Sequence, residues 1–430
     1  MSEHIRLGLA DYWRLVTQNR NYRLLWLAQI VSELGDWLYS VVVYNQILQK
    51  THSARALALG VILQVLPQVL ISPMAGVLND RLPRRHVMIF ADVVRFFVVL
   101  GMMYGVRIDS TPLIYVMLLA ESVLWGLFEP GRDSLLPNLT QGERERLAAN
   151  TLSSTTWSFN LAAGTALGGF LAAAFGRDAV FIINAASFLL SAALLLRLHV
   201  EETHTADFPP LRARDLVDFA PVVEGFRYIF GRPQLFATLL AKAGLGVMGA
   251  NHIILPVMGD RVFRLGGQAI LGMSLLMTAR GVGSLLGPPM AGYWAGGRAR
   301  RMQRGILYAF VAISIGYGIV SWSPTVAWTI AGIVLAHAGG ATIWVFSTTM
   351  LQSQAEDRFR GRVFSADYAF MVLSMSLSTW IGGIVVDAGA HVRTVALGVS
   401  ALVLVPAAAW AIWALPLWRE TGPTSQTPPA

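Results

Sequence analysis

Cysteine is absent from the 430-residue chain. Disulfides, thiolate metal sites and cysteine nucleophiles are thereby excluded together. Charge is almost as scarce. Asp, Glu, Lys and Arg make up 13% of the residues, against roughly 25% in soluble domains, so the chain lacks the material for a water-facing coat. Also missing are a nucleotide-binding glycine loop, a metal-ligand cluster, a catalytic triad and any polar stretch long enough to hold a soluble catalytic domain. The expectation is a protein that is not an enzyme and has no cofactor or metal. No cleavable signal peptide stands at the start. Residues 1–23 are polar and include Arg6, Arg14, Arg20 and Arg23, so the first apolar run is expected to stay as an anchor.

What fills the chain instead is apolar. Hydrophobic residues are 55% of the total, gathered in runs of about 20, the length of a membrane-crossing helix. The runs are continuous rather than alternating, which favours helices over barrel strands. Twelve spans are expected, near 24–48, 56–78, 86–106, 112–130, 147–175, 178–198, 235–258, 268–294, 303–322, 325–350, 363–388 and 393–418. With the N-terminus inside, 23 of the 33 Lys and Arg fall in cytoplasmic segments and 7 in outer loops. The remaining three, Arg95, Lys242 and Arg280, lie within spans. That bias predicts both termini in the cytoplasm of a multi-pass inner-membrane protein. It also accounts for the net charge of +8 without any nucleic-acid partner.

Residues 199–234 interrupt the pattern after six spans. Leu216, Phe219, Val223, Phe226 and Phe230 recur there at helical spacing among charges, as in a helix lying on a membrane surface, with Pro221 placed to kink it. The expected organisation is a cytoplasmic segment 1–23, a six-helix bundle 24–198, a linker 199–234, a second bundle 235–418 and a disordered cytoplasmic tail 419–430. Sliding the chain by 216 residues lays "GVLNDRLPRR" on "GYWAGGRARR". It matches Gly76 with Gly292, Arg84 with Arg300, Arg85 with Arg301, Leu135 with Leu351, Arg144 with Arg360 and Arg146 with Arg362. A duplicated six-helix unit follows, a plan that places a substrate site between the halves near the midplane.

"GVLNDRLPRR" resembles the loop between the second and third helices of the major facilitator superfamily, G-x-L-x-D-R-x-G-R-R. Gly76, Leu78, Asp80, Arg81, Arg84 and Arg85 match it, while Pro83 replaces the second Gly. "RLLWLAQIVSELGDW", "EPGRDSLLPNLTQGERERLAAN", "EGFRYIFGRPQL" and "DRFRGRVFSAD" are similar to the branch of enterobactin exporters and macrolide efflux proteins. The resemblance implies an all-α membrane protein of twelve helices in two pseudo-symmetric bundles, working by alternating access. It departs from exporters in the fifth helix. "NLAAGTALGG" keeps Gly164, Gly168 and Gly169 but has Asn160 for a Gly and Thr165 for a Pro. A fuller Gly-Pro cluster, "GVGSLLGPPMAG", stands in the eighth. Both stretches also have a plain packing use, since small residues let helices approach closely in lipid.

Charged residues in the membrane are costly and mark function. Glu33 and Asp36, three residues apart on one helix face, are the expected proton-coupling pair, with Ser40 and Tyr44 continuing that face. The alternative is a structural acid, Asp36 neutralised by Arg95 or Lys242. The resemblance has the first, fourth, seventh and tenth helices lining a cavity. That adds Glu121, Trp125, Asn251, His252, His337 and Trp344, the two tryptophans as substrate stackers. Gln64 and Gln68 could face the pore or bridge helices. His252 falls opposite Asp36 under the 216-residue shift, and a histidine titrates near about 6.5. Asp80 is expected to reach the start of the eleventh helix, with Arg81, Arg84 and Arg85 meeting Glu143, Glu145 or Asp357. Together with Gly76 and Arg132 these residues would form a cytoplasmic gate. The function implied is proton-coupled export of an amphipathic or cationic small molecule by a monomer in the lipid bilayer. The rivals are a lipid flippase or uptake symporter on the same fold and, more distantly, a non-transporting receptor.

Overall fold

With no water in the bilayer core, every backbone N–H and C=O of a span must be satisfied within the protein, and a helix does this within its own segment. The computed structural model follows that rule, with no strand among the described residues, which are 7–200, 202, 220–356 and 359–414. The expected tail 419–430, the linker residues Leu216 and Phe219, and Asp357 lie outside them. Eleven stretches are long and apolar enough to cross a membrane. A twelfth helix, Arg20–Thr51, has the length but carries Glu33 and Asp36 in its middle.

The chain divides into two compact units. The first comprises Met1–Phe219 with Leu255–Gly281. Its helices are α1 (Leu9–Gln18), α2 (Arg20–Thr51), α3 (Ala54–Arg81), α4 (Arg84–Arg107), α5 (Thr111–Leu139), α6 (Gly142–Phe175) and α7 (Arg177–Leu196). α2 packs against α6 and α7, and α4 against α5 and α7. Glycines set the closest approach. A Cβ on Gly168 would stand 2.4 Å from the Leu38 carbonyl oxygen, and one on Gly164 would stand 2.5 Å from Trp37 Cβ. Gly164 and Gly168 of "NLAAGTALGG" thus serve α2–α6 packing. α1 is tied down by Leu15, which is buried with Tyr22, Leu136, Ala148 and Ala149. Its Asp11 accepts from Arg144 at 3.0 and 2.9 Å.

The second unit comprises Ala220–Ile254 with Val282–Ala430. It opens with α8 (Ala220–Phe230), with Val223 and Phe230 exposed and Tyr228 and Ile229 buried against α9 (Pro233–Leu245) and α14 (Arg360–Asp387). α9 does not run on as the expected unbroken span. It passes through a 3₁₀ turn, Gly246–Ala250, into α10 (Asn251–Arg261). The reason lies in α14. A Cβ at Gly246 would stand 2.4 Å from Ser374 Oγ, and one at Gly249 2.2 Å from the Met375 carbonyl oxygen. α11 (Ala269–Ala295), α12 (Ala299–Trp322) and α13 (Val326–Gln354) lie between them in the chain. The last span is broken too, into α15 (Val392–Leu402), α16 (Leu404–Ala409) and a π turn, Trp410–Ala414. Shifted by 216 residues, α3 to α6 fall on α11 to α14 with every end within four residues. The duplication read from scattered arginines is therefore a duplication of helices.

Candidate functional site

The centre of the first unit is Arg95, which is fully buried. Its Nη2 donates to Asp36 Oδ2 at 2.6 Å and to Glu121 Oε1 at 2.6 Å, and its Nε donates to the same Glu121 oxygen at 3.2 Å. Nη1 donates to Ser32 Oγ at 3.3 Å and lies 3.7 Å from Asp92 Oδ1. The guanidinium carbon sits 4.1 Å from the centre of the Phe188 ring, a cation–π contact. Helices α2, α4, α5 and α7 each contribute. One cation thus faces three carboxylates, and Asp36 Oδ1 accepts no hydrogen bond.

A second cluster lies beside it. Arg132 pairs with Glu33 at 2.9 Å, Glu129 at 2.7 Å and Asp133 at 3.0 Å. Glu33 also accepts from Gln29 at 2.8 Å and Asn160 at 3.1 Å. Glu33 and Asp36, expected as one proton-handling pair, are therefore held by different cations. Arg132, expected among the gate residues, is buried beside Glu33. Glu129, Asp133 and Gln29 are not among the sequence candidates, and Asn160 stands there only as a departure from a glycine pattern. "EPGRD" did contain the signal for one of them: Glu129 stands one helical turn from Arg132 and faces it.

The remaining polar residues of α2, α3 and α5 form a short network. Tyr44 donates to Gln64 Oε1 at 2.5 Å, and Gln64 donates to Tyr39 at 3.2 Å. Gln68 and Ser122 donate to the Gln64 carbonyl, each at 2.8 Å. Ser40 bonds back to the Asp36 carbonyl at 2.6 Å, so its hydroxyl is engaged with its own helix. Gln64 bridges α2, α3 and α5, and Gln68 bonds back to its own helix. Trp125 is half-buried on α5.

In the second unit, Lys242 forms an ion pair with Asp367 and donates to Thr348 at 2.9 Å. Its ammonium lies 4.2 Å from the Trp344 ring centre, so this proposed stacker already faces a cation. Asn251 Nδ2 donates to the Met248 carbonyl at 2.6 Å, and His252 Nδ1 is 3.0 Å from the Gly249 carbonyl. His337 Nε2 is 3.3 Å from the Tyr317 hydroxyl. The 216-residue shift places His252 at Asp36 and His337 at Glu121. Both acids that grip Arg95 thus have histidines as their repeat counterparts, and Val311 stands where Arg95 would be.

The Gly76–Arg85 turn is built by proline rather than glycine. Leu82 is extended, as a residue before proline must be, and Pro83, with φ −60°, caps α4. Asp80 lies 3.9 Å from Arg84. Arg84 donates to the Ser134 and Asn79 carbonyls at 2.7 and 3.2 Å, and Arg85 to the Leu196 carbonyl at 2.7 Å. Glu202, unforeseen from sequence, accepts the backbone N–H groups of Arg84 and Arg85 at 2.7 and 3.1 Å. An anion at a helix N-terminus is favourable. Glu145, one of the acids expected near these arginines, accepts the Gln141 N–H at 2.8 Å. Gly76 sits in open space, where a Cβ would meet nothing within 4 Å. Arg81 closes α3.

Ionisable residues buried inside a polytopic helical membrane protein are costly and mark ion or substrate pathways. The family described as Major Facilitator Superfamily matches residues 25–274, and the chain belongs to it. It is 26% identical over 393 residues to the uncharacterized MFS-type transporter YfiS of Bacillus subtilis (strain 168), covering 87% of this chain and 88% of that one. It is 24% identical to the proposed bacilysin exporter BacE of Bacillus amyloliquefaciens, over 89% and 93% of the two chains. It is 25% identical to the enterobactin exporter EntS of Escherichia coli O1:K1, over 80% and 79%. Among solved structures it resembles the nucleoside transporter NupG, with a TM-score of 0.67 at 13% identity over 91% and 98% of the chains. It also resembles a bacterial homologue of ferroportin in an inward-facing state, with a TM-score of 0.68 at 16% identity over 91% and 99%. At these identities the structures speak for the fold alone.

Proposed function

We propose that this transporter exports an amphipathic or cationic small molecule in exchange for protons, with Asp36, Arg95 and Glu121 as the coupling centre. The observation that carries the reading is the surplus of acid around Arg95. Two carboxylates are within 2.6 Å of one fully buried guanidinium, and Asp36 keeps an oxygen with no hydrogen bond. A proton taken up there leaves Glu121 to neutralise Arg95, so the cluster can cycle between two charge states without stranding its cation. Glu33, held by Arg132, is the secondary candidate. The kinship with BacE and EntS, both exporters by name, supports the outward direction. The Lys and Arg bias supports cytoplasmic termini in a bacterial inner membrane. On this reading the monomer works by alternating access. The turn bearing Gly76, Asp80, Arg81, Arg84 and Arg85 contributes to the cytoplasmic gate.

The test begins with thermal shifts of purified protein against a chemically broad panel at two pH values. A stabilising compound is then followed in proteoliposomes under an imposed pH jump. Asp36→Asn is expected to abolish pH-driven movement while keeping the thermal shift. Full-rate, pH-driven transport by that variant would remove Asp36 from the coupling role.

A further inference from the structure

The second unit contains a feature that ion coupling does not use, a pocket of about 310 Å³ between α9, α14 and the end of the last span. Its origin is local. The last span is interrupted at Val403, and Pro406 and a π turn from Trp410 follow. Proline and π turns are the usual causes of such breaks. Facing it, α9 presents Ala237, Ala241 and Gly244, residues on one helix face with almost no side chain. The two elements touch at Gly244, where a Cβ would stand 2.5 Å from Pro406 Cβ. Around that contact no side chain is large enough to fill the space.

The lining decides what fits. The floor is Ala237, Ala241 and Trp410, all buried, and the rim is Leu240, Val405 and Ala409, all exposed. The two polar groups in the wall already donate elsewhere, Ser374 Oγ to the Ala243 carbonyl at 2.8 Å and Trp410 Nε1 to the Gln303 carbonyl at 2.9 Å. Lys242, though on α9, turns instead to Asp367 and Thr348. A polar ligand would leave its hydrogen bonds in water and find none here, at a cost no apolar ligand meets. Water is equally ill-suited, since an apolar cavity without polar partners stays dry. The rim runs on into the exposed apolar side chains of Leu402 and Leu404, in a stretch apolar enough to cross the membrane. The volume is at the small end of ligand pockets, about 300–1,000 Å³.

We propose that this crevice is a binding site for one acyl chain of a bilayer phospholipid, held as a resident ligand against the broken last span. The chain enters between Leu240 and Val405 and lies over Ala237 and Ala241, with its headgroup outside the pocket. It supplies the packing that Pro406 and the π turn forgo.

The probe is a phosphatidylglycerol with a photoactivatable diazirine on one acyl chain, mixed into phosphatidylglycerol and phosphatidylethanolamine liposomes holding the whole protein. After irradiation, adducts are mapped by peptide mass. They are expected on 237–247 and 405–410 at several times the yield found on the exposed α4 face of Phe90 and Phe97. Ala409→Trp, at the exposed rim, should lower the yield in the pocket several-fold and leave the α4 face unchanged. Ala241→Leu, which fills the floor, should do the same, and Ala409→Trp decides the matter if the floor variant fails to fold. Equal labelling of both surfaces, or pocket labelling unchanged in a folded Ala409→Trp, overturns the proposal. Loss of labelling to trace free fatty acid would overturn the phospholipid as the source. None of these readouts depends on transport or on Asp36.

Discussion

Replacing Arg95 by glutamine should destabilise the first unit far more than replacing Asp36 by asparagine. The asymmetry follows from the count of charges. Arg95→Gln leaves Asp36, Glu121 and Asp92 together with no cation, although the wild-type guanidinium touches two of them at 2.6 Å. Removing one partner of a buried pair costs about 3–5 kcal/mol. Asp36→Asn leaves Glu121 on Arg95 and keeps a neutral acceptor in place. Its cost is the difference between a charged and a neutral hydrogen bond, about 1–2 kcal/mol. At roughly 2–4 °C per kcal/mol for a unit of this size, the first variant should unfold about 10 °C early and the second only a few degrees early. The triple variant Arg95→Met, Asp36→Asn, Glu121→Gln removes cation and acids together and should recover much of the loss, as apolar replacements of buried ion groups often do. Thermal midpoints of the purified protein in one detergent give all three values. If Arg95→Gln unfolds within a degree or two of Asp36→Asn, or the triple variant is the least stable of the set, charge pairing does not hold this cluster together.

Three further outcomes follow from other contacts. Lys242→Met should lower the thermal midpoint by stranding Asp367, and adding Asp367→Asn should restore most of it; a double variant no better than the single one would exclude the pair as a buried ion bridge. Glu202→Gln removes the anion from the N-terminus of α4, at a cost of about 0.3–1 kcal/mol. Hydrogen exchange should quicken at the Arg84 and Arg85 amides and stay unchanged around Met102. The third concerns pH. Hydrogen bonds from Arg144 and from the Gly8 N–H, in that order, hold the Asp11 carboxyl below its ordinary value. The docking of α1 that it supports is therefore complete above the unfolded carboxyl value of about 3.9 and is lost as pH falls through the lower folded value. The chain has no native cysteine, so a spin-label pair on Gly8→Cys and Arg146→Cys would report α1 moving away only at strongly acid pH. Asp11→Asn should abolish that pH dependence.

What could be read in the sequence and what could not divides along a physical line. Helix number, duplication and the oddity of Asp36 are properties of one chain segment at a time. Apolar run length gives the spans, and a fixed offset gives the repeat, which is why α3 and α11 agree in their ends. Even Arg95 was available as a neutraliser for Asp36, because few intramembrane cations exist to choose from. The partner of Glu33 was not available, because it depends on how far α2 is rotated and buried against α5 and α6. That rotation is fixed by close contacts such as Gly168 on the Leu38 backbone, and these leave no periodic trace. A rotation of α2 by one residue, about 100° on a 3.6-residue helix, would turn both acids away from their arginines. The breaks in α9 and in the last span have the same cause. Gly246 and Gly249 look like ordinary small residues until α14 lies against them, and the space beside Ala241 appears only once Pro406 faces Gly244. The buried acids were legible because charge in a membrane is conspicuous by itself. The apolar crevice beside Pro406 was not, because it consists of atoms that are missing from both sides of a contact.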